Sequence, residues 1–98
     1  SGVRQRWASK ALSDLDAIRD HSIKHWGRAQ TAQYLRTIRD AVAAASQAPM
    51  QAAPADHYRP GYRKITVGAH LVFFRINADA IEIARILHAA MEIDTKLE

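Results

Sequence analysis

The chain has 98 residues, no cysteine and a formal net charge of +4, from 14 basic and 10 acidic side chains. A chain of this length buries about 60–65% of its unfolded surface, so we expect a single domain, residues 1–98, with a small core. No apolar run approaches the roughly 20 residues that span a bilayer, and the first residues lack the apolar segment of a signal peptide. The absence of cysteine excludes disulfides, thiol catalysis and cysteine-ligated metals, and is typical of a cytoplasmic protein.

The first half of the sequence predicts one short strand and two helices. VRQRW, residues 3–7, alternates apolar and polar residues, as a strand does. From Ala8 the apolar residues recur at helical spacing as far as Trp26, and Gly27 suits the end of that helix. The second helix has a predicted buried stripe of Thr31, Leu35, Ile38, Val42 and Ala45. Because the connection between the helices is short, we expect an antiparallel helical hairpin.

The second half predicts β structure. Residues 48–57 contain two prolines and no periodicity, which predicts a loop. Three runs rich in Val, Ile and Phe follow: YRKITV, HLVFFRI and AIEIARIL. They are separated by the turn sequences Gly68-Ala69 and Asn77-Ala78-Asp79, which predicts a three-stranded antiparallel meander. The predicted order is β-α-α-β-β-β, an α+β fold in which an antiparallel sheet packs against the helical hairpin and a short C-terminal tail follows.

An unbroken strand register divides the side chains of the meander between two faces, because directly opposed residues share a face. The core face then carries Ile65, Val67, Val72, Phe74, Ile76, Ile81, Ile83 and Leu87. The second face carries Lys64, Thr66, Leu71, Phe73, Arg75, Glu82, Ala84, Ile86 and His88. Its mixture of apolar and basic groups is typical of a binding groove, although the C-terminal tail could instead cover it. One bulge would move the residues that follow it to the opposite face. In the unbroken register Arg85 falls on the core face, where a buried charge needs a partner.

The five histidines are the remaining candidates for metal or proton chemistry. His21 and His25 have the i,i+4 spacing that puts two imidazoles on one helical face. No acidic third ligand accompanies them, so two surface histidines are favoured over a zinc site. His88 is the titratable group of suitable pKa at the end of the last strand, but it has no evident catalytic partner. We therefore expect no metal, no cofactor and no catalytic residue.

Motifs along nearly the whole chain resemble the ParE toxins of the RelE/ParE superfamily. These motifs are WxxxAxxDL (7–15), HWGxxQ…YL (25–35), RPGYR (59–63), GxHxVFFRI (68–76) and IEIxRILHxxM (81–91). The resemblance implies a toxin of a type II toxin–antitoxin system that inhibits DNA gyrase by protein binding. It also implies a hetero-oligomer with a neutralising ParD-type antitoxin, in the cytoplasm, with no membrane contact and no direct sequence-specific nucleic-acid binding.

The resemblance and the two-face assignment together indicate candidate binding residues. The antitoxin is expected to bind the second face of the sheet at Lys64, Leu71, Phe73, Arg75 and Ile86. The gyrase-binding surface is expected at Arg59, Arg63, Arg85, His88 and Met91. Trp7 and Trp26 are expected to pack the hairpin against the sheet, and RPG at 59–61 is expected to form a turn.

Two alternatives remain open at this stage. The first is a ribosome-dependent mRNA endoribonuclease like the relatives that resemble RelE. It would require its cations and its proton-transfer group on one face, namely Arg63, Lys64, Arg75, Arg85 and His88. The segment that follows the last strand supplies Ala89, Ala90 and acidic residues instead, which disfavours this alternative. The second is a relative that binds an antitoxin without being toxic.

Overall fold

The computed structural model describes residues 4–90. Its elements are β1 Arg4–Trp7, α1 Ser9–Trp26, α2 Arg28–Gln47, β2 Ala53–Pro54, β3 Arg63–Val67, β4 His70–Asn77 and β5 Ala80–His88. A 3₁₀ turn at Pro49–Gln51 connects α2 to β2. The strands form one sheet in the order β1-β5-β4-β3-β2, which confirms the predicted α+β fold. Neither described helix is long and apolar enough to cross a membrane.

The sheet is mixed, whereas the sequence predicted an antiparallel sheet. β3, β4 and β5 form the predicted antiparallel meander, and β2 adds two antiparallel residues at one edge. β1, however, lies parallel to β5, from Arg4 opposite Ala80 to Trp7 opposite Ile83. The hydrophobic pattern of a four-residue strand carries no information about the direction of its neighbour, so this pairing was not visible in the sequence.

The two helices form the predicted hairpin. Gly27 joins them with a φ of +85°, and its N–H donates to the Ile23 carbonyl at 3.0 Å. Such a positive φ favours glycine, because a Cβ would collide with the backbone. At its start α1 has Ala8 as its N-cap residue and no side-chain cap, so the first amides of this helix have no side-chain acceptor.

The main core lies between the helical hairpin and one face of the sheet. Its buried members are Ala11, Leu15, Ile18, Ile38, Val42, Ala45, Val67, Val72, Phe74, Ile81, Ile83 and Ile86. Each large aliphatic side chain buried there contributes about 1.5–3 kcal/mol of hydrophobic free energy. Trp7 packs against this core as predicted. Trp26 does not, because it is 49% exposed and contacts the ring of Tyr34 edge-on.

A β-bulge divides the meander. The predicted pairs hold as far as Phe74, which lies opposite Ile83. The register then shifts, so that Phe73 lies opposite Arg85 and Ala84 has no partner on β4. Because side chains alternate along a strand, every β5 residue after Ala84 changes face relative to the unbroken register.

The bulge overturns four assignments made from the sequence. His88 was expected on the second face, but it lies opposite His70, which is opposite the core residue Val67 on β3. Ile86 was expected on the second face, but it is 3% exposed within the main core. Leu87 was expected in the main core, but it belongs to a second apolar cluster on the opposite face. Arg85 was expected on the core face, but it lies opposite Phe73, which is a member of that second cluster.

The segment between β2 and β3 covers the second face of the sheet. Ala55, Leu71, Phe73 and Leu87 are buried there beneath Tyr58 and Tyr62, and the Tyr58 ring stacks on Phe73 with centroids 4.5 Å apart. The expectation that Leu71 and Phe73 line an open groove is therefore wrong, since they are 7% and 0% exposed. The rings of Tyr58 and Tyr62 shield this second apolar cluster from solvent.

The covering segment is itself held by backbone and side-chain hydrogen bonds. The Ala55 N–H donates to the Tyr62 carbonyl at 2.8 Å, and the Gly61 N–H donates to the Asp56 carboxylate at 2.9 Å. Gly61 has a φ of +84°, which confirms the predicted turn at RPG. The loop is therefore a folded part of the domain.

Candidate functional site

The predicted binding arginines are held by separate partners. Arg63 donates to the backbone carbonyls of Ala52 at 2.8 Å and Met50 at 3.3 Å. Arg75 donates to the Glu82 carboxylate at 2.6 Å, which raises the pKa of Arg75 and lowers the pKa of Glu82. The first arginine positions the chain before β2, and the second forms a cross-strand ion pair.

Arg85 forms a two-point ion pair with α1. Its Nε and Nη2 donate to the two carboxylate oxygens of Asp14 at 2.8 and 3.0 Å. The Ile86 N–H donates to the same carboxylate at 2.9 Å. The hydrogen bonds to Asp14 raise the pKa of the Arg85 guanidinium, which burial alone would lower. This arginine therefore stays charged and fixed in position.

His88 lies beside another histidine rather than beside the arginines. Its ring centroid is 5.4 Å from that of His70, and its Nδ1 accepts a hydrogen bond from the Ala90 N–H. His70 in turn is 2.7 Å from the Tyr34 hydroxyl. Burial lowers the pKa of His70, and the nearby His88 and His21 lower it further.

No group of three histidine or carboxylate side chains suited to a metal ion occurs within residues 4–90. The rings of His21 and His25 do lie together, with centroids 4.3 Å apart. The pair therefore has the proximity that the helical spacing predicted, without a third ligand among the described residues.

Two of the predicted target-binding residues, Arg59 and Arg85, line one cavity of about 280 Å³. Lys10, Tyr58 and Tyr62 also line it, and it lies at the first turn of α1. Arg59 is exposed and its guanidinium lies over the ring of Tyr58, 5.6 Å from the centroid. A cavity with these groups can hold an anion, because cations, tyrosine hydroxyls and helix-start amides are all donors.

Two further concavities lie on the hairpin side of the molecule. One, of about 630 Å³, is lined by Trp26, Tyr34 and the polar residues Gln30, Gln33 and Thr37. The other, of about 290 Å³, is lined by Ile65, Gln51 and five alanines of α2 and the following segment: Ala41, Ala44, Ala45, Ala48 and Ala52. The second is mainly apolar and lies beside β3.

The structure thus separates most of the predicted site residues. Lys64 is half-buried opposite Phe73 on the second face, while Arg63 lies opposite Phe74, on the core side. Met91 lies outside the described residues. Sequence reasoning missed Asp14, Lys10 and the two tyrosines of the covering loop. Asp14 had a signal, since it belongs to the WxxxAxxDL motif, but its partner Arg85 is far away in the sequence.

Comparison with known proteins gives a consistent result. The family described as "ParE toxin of type II toxin-antitoxin system, parDE" matches residues 6–93. Toxin ParE1 of Mycobacterium tuberculosis is 36% identical over 88 residues, covering 89% of this chain and 90% of that protein. Toxin ParE1 of Caulobacter vibrioides is 35% identical over 86 residues, covering 88% of each.

Solved structures agree. The chain in the structure titled "Chromosomal ParDE TA system from P. aeruginosa" is 30% identical, with a TM-score of 0.78, and the match covers 88% of this chain and 95% of that one. The RelBE2 toxin–antitoxin complex of M. tuberculosis matches at a TM-score of 0.64 and 19% identity, over 91% and 93% of the two chains, which indicates a shared fold. The chain belongs to the ParE toxin family of type II toxin–antitoxin systems.

Proposed function

We propose that this ParE-type toxin inhibits DNA gyrase by binding to it, without catalysing a reaction, and that a ParD-type antitoxin neutralises it in a hetero-oligomer in the cytoplasm. Its family membership supports this proposal, as does its similarity to a chain from a structure titled as a ParDE system. The observation that carries the proposal is the separation of the proton-transfer candidate His88 from the arginines.

Cleavage of RNA by its own 2′-hydroxyl requires a base, an acid and cations around a single phosphorus atom. Among residues 4–90, His88 lies with His70, Arg75 with Glu82 and Arg85 with Asp14. Arg63 is held by the backbone carbonyl groups of Met50 and Ala52. This arrangement suits a protein whose cations position its own strands and whose remaining surface binds a partner, and it disfavours the endoribonuclease alternative.

A gyrase assay run beside an RNA assay tests the proposal. The 98-residue chain is added to a gyrase supercoiling reaction and, separately, to a translation extract that contains a reporter mRNA. We expect loss of supercoiling or accumulation of gyrase-cleaved DNA, with intact mRNA. Cleaved mRNA that becomes intact when His88→Ala is used would establish the endoribonuclease instead. Unchanged supercoiling with gyrases from several bacteria would contradict the gyrase proposal.

The antitoxin surface needs revision, because Leu71, Phe73 and Ile86 are buried. We propose that the antitoxin docks at the apolar groove between α2 and β3, whose lining includes Ala44 and Ile65. β2 pairs only with Arg63 and Lys64, so Ile65–Val67 lack a described strand neighbour on that edge. A partner segment there could pair with β3 and place an apolar side chain among the alanines. Lys64 and Arg75 remain proposed contacts for acidic antitoxin side chains.

Two neighbouring alanines of α2 provide a matched test of this docking site. Ala44 lines the groove and Ala43 does not, although both are exposed. We expect Ala44→Arg to weaken antitoxin binding at least about tenfold by filling the groove, with Ala43→Arg close to the unmodified chain. Isothermal titration with the ParD-type antitoxin gives the comparison. Equal affinities for the two variants would place the antitoxin elsewhere.

A further inference from the structure

The cavity at the start of α1 has an excess of positive charge. Lys10, Arg59 and Arg85 line it. The described residues contribute one matching carboxylate, Asp14, which pairs with Arg85. Lys10 and Arg59 are therefore left without a carboxylate partner among the described residues, and both are exposed. The cavity has two unmatched positive charges and can accept an anion without first breaking an ion pair.

The local backbone adds donors on the same side. α1 has no side-chain cap and no acidic residue in its first turn. Its starting residues Ala8, Ser9 and Lys10 line the cavity, and the two tyrosines contribute to the same wall. Amides at the start of an 18-residue helix favour a negative group.

A second cavity continues the first one. It has a volume of about 220 Å³, and it shares Ala8, Tyr62 and Ala84 with the lining of the cationic cavity. Its other walls include Arg6 and the half-buried ring of Trp7. Glu82 also lines it, but Arg75 and Asn77 both donate to that carboxylate, at 2.6 and 3.1 Å. Because the two cavities share lining residues, they form one trough. Lys10, Arg59 and Tyr58 line its first part, Arg6 and Trp7 line its second part, and Tyr62 lines both.

We propose that this trough binds a single-stranded nucleic acid, with a backbone phosphate between Lys10 and Arg59 and a neighbouring base against Trp7 and Tyr62. Cations that neutralise phosphates beside aromatic rings that receive bases are the features used by single-strand binding surfaces. We expect the binding to be independent of sequence, because contacts to phosphates and stacking on rings carry no direct sequence information. The inference goes beyond gyrase inhibition and does not depend on it.

An acidic peptide is the main competing occupant, and two observations favour a nucleic acid over it. The two unmatched positive charges come from different elements that line one cavity, Lys10 from α1 and Arg59 from the covering loop, which suits a phosphate because its acceptor oxygens lie on several sides. The adjoining cavity presents the aromatic rings of Trp7 and Tyr62, which suit a base and have no special complementarity to a peptide of acidic side chains.

The test measures binding of the full chain to a fluorescent oligothymidylate by anisotropy, without gyrase or antitoxin. We expect Lys10→Glu/Arg59→Glu to weaken binding at least about tenfold, because two phosphate-neutralising charges become repulsive. The matched control is Arg28→Glu/Arg36→Glu, which makes the same change in net charge at exposed positions of α2 and is expected to weaken binding less than about threefold. In a Trp26→Phe background, the oligonucleotide should also quench the fluorescence of Trp7.

The outcomes separate the occupants. Equal weakening by the two double variants would show that binding follows net charge alone, and would overturn the proposal. An oligoglutamate peptide of the same length that binds as tightly as the oligonucleotide would overturn it in favour of a carboxylate site, and tighter binding of a duplex would exclude a role for the aromatic rings. If Lys10→Glu/Arg59→Glu lowers the melting temperature, the neutral pair Lys10→Gln/Arg59→Gln replaces it, with Arg28→Gln/Arg36→Gln as its control. The gyrase proposal is scored by supercoiling and can fail or hold independently.

Discussion

The Asp14 carboxylate on α1 accepts three hydrogen bonds from β5, two from the Arg85 guanidinium and one from the Ile86 N–H. β1 pairs with β5 only as far as Ile83, so beyond that point β5 has no strand neighbour on that side within residues 4–90. Asp14 replaces the missing strand at one backbone N–H and neutralises the arginine beside it. The helix and the bulged half of β5 are thereby fixed relative to each other.

Removal of the Asp14 carboxylate should destabilise the protein. We expect Asp14→Ala to lower the free energy of unfolding by about 2–4 kcal/mol, because a partly buried arginine and a backbone N–H lose their acceptor together. The Asp14 side chain is 16% exposed, which limits replacement by water. Urea unfolding provides the measurement. The control is Glu82→Ala, which removes the partner of the exposed Arg75 and should change the midpoint much less than Asp14→Ala does. Equal losses from the two substitutions would contradict the role of burial.

Gly68 is closely packed against Tyr34. A Cβ at Gly68 would lie 2.8 Å from both Cε1 and the hydroxyl oxygen of Tyr34, whereas a Cβ at Gly61 would meet nothing within 4 Å. Both glycines have positive φ, so replacement by alanine costs each about 1 kcal/mol of conformational strain. We expect Gly68→Ala to cost about 1–3 kcal/mol more than Gly61→Ala because of the collision. In a Tyr34→Ala background the two substitutions should cost the same, and a persistent difference would exclude the collision as its cause.

His70 should make stability depend on pH. Its pKa is lowered in the folded state, first by burial and then by His88 and His21. The unfolded chain therefore binds a proton at His70 more readily than the folded protein does. The contribution of neutral His70 to the free energy of unfolding is fully present above the ordinary histidine pKa of about 6.5. It is lost as the pH falls through the lower pKa that His70 has in the folded state.

Unfolding measured at about pH 7.5 and about pH 5 should show this loss in the unmodified chain and a smaller loss in His70→Gln. His88→Asn should also reduce the pH dependence, because it removes one neighbouring positive charge. An identical pH dependence in the unmodified chain and in His70→Gln would contradict the assignment.

Thr31 offers a stabilising substitution. Its hydroxyl oxygen is buried and has no hydrogen-bond partner among the described residues, and the residue as a whole is only 2% exposed. We expect Thr31→Val to raise the free energy of unfolding by about 1 kcal/mol, because a methyl group replaces a buried polar group of similar size. Thr37→Val is the control, since the exposed Thr37 hydroxyl donates to the Gln33 carbonyl at 3.0 Å, and it should give no gain. A loss at Thr31 would indicate that its hydroxyl has a partner in solution.

Sequence reasoning predicted the fold at the level where local signals are strong. The two helices and the three strands of the meander followed from periodicity, and Gly68-Ala69 was correctly placed as the turn between β3 and β4. The bulge at Ala84 could not be predicted, because the sequence AIEIARIL places apolar residues on both faces of the sheet in either register. The ion pair between Arg85 and Asp14 joins residues 71 positions apart, and such a long-range pair cannot be read from one sequence.

The candidate site was predicted less well, for the same physical reason. The shift of the β5 register by one residue places Ile86 in the main core, and the covering loop buries Leu71 and Phe73. Tyr58 and Tyr62 were the available sign that the loop between β2 and β3 packs on the sheet, since two large aromatic rings in one short loop need an apolar surface. The roles of Lys64, Arg59 and His88 in partner binding remain predictions.

The parallel pairing of β1 with β5 also constrains how the chain reaches its native state. Arg4 and Asp79, which meet beside this pairing, are 75 positions apart in the sequence, and β5 lies between β1 and β4 in the sheet. A nascent chain that has not yet produced residues 80–88 has nothing to join its first strand to the other strands. Closure of such non-local contacts is intrinsically slow, so we expect the molecule to acquire its structure in a single late cooperative step, with no partially assembled sheet persisting beforehand.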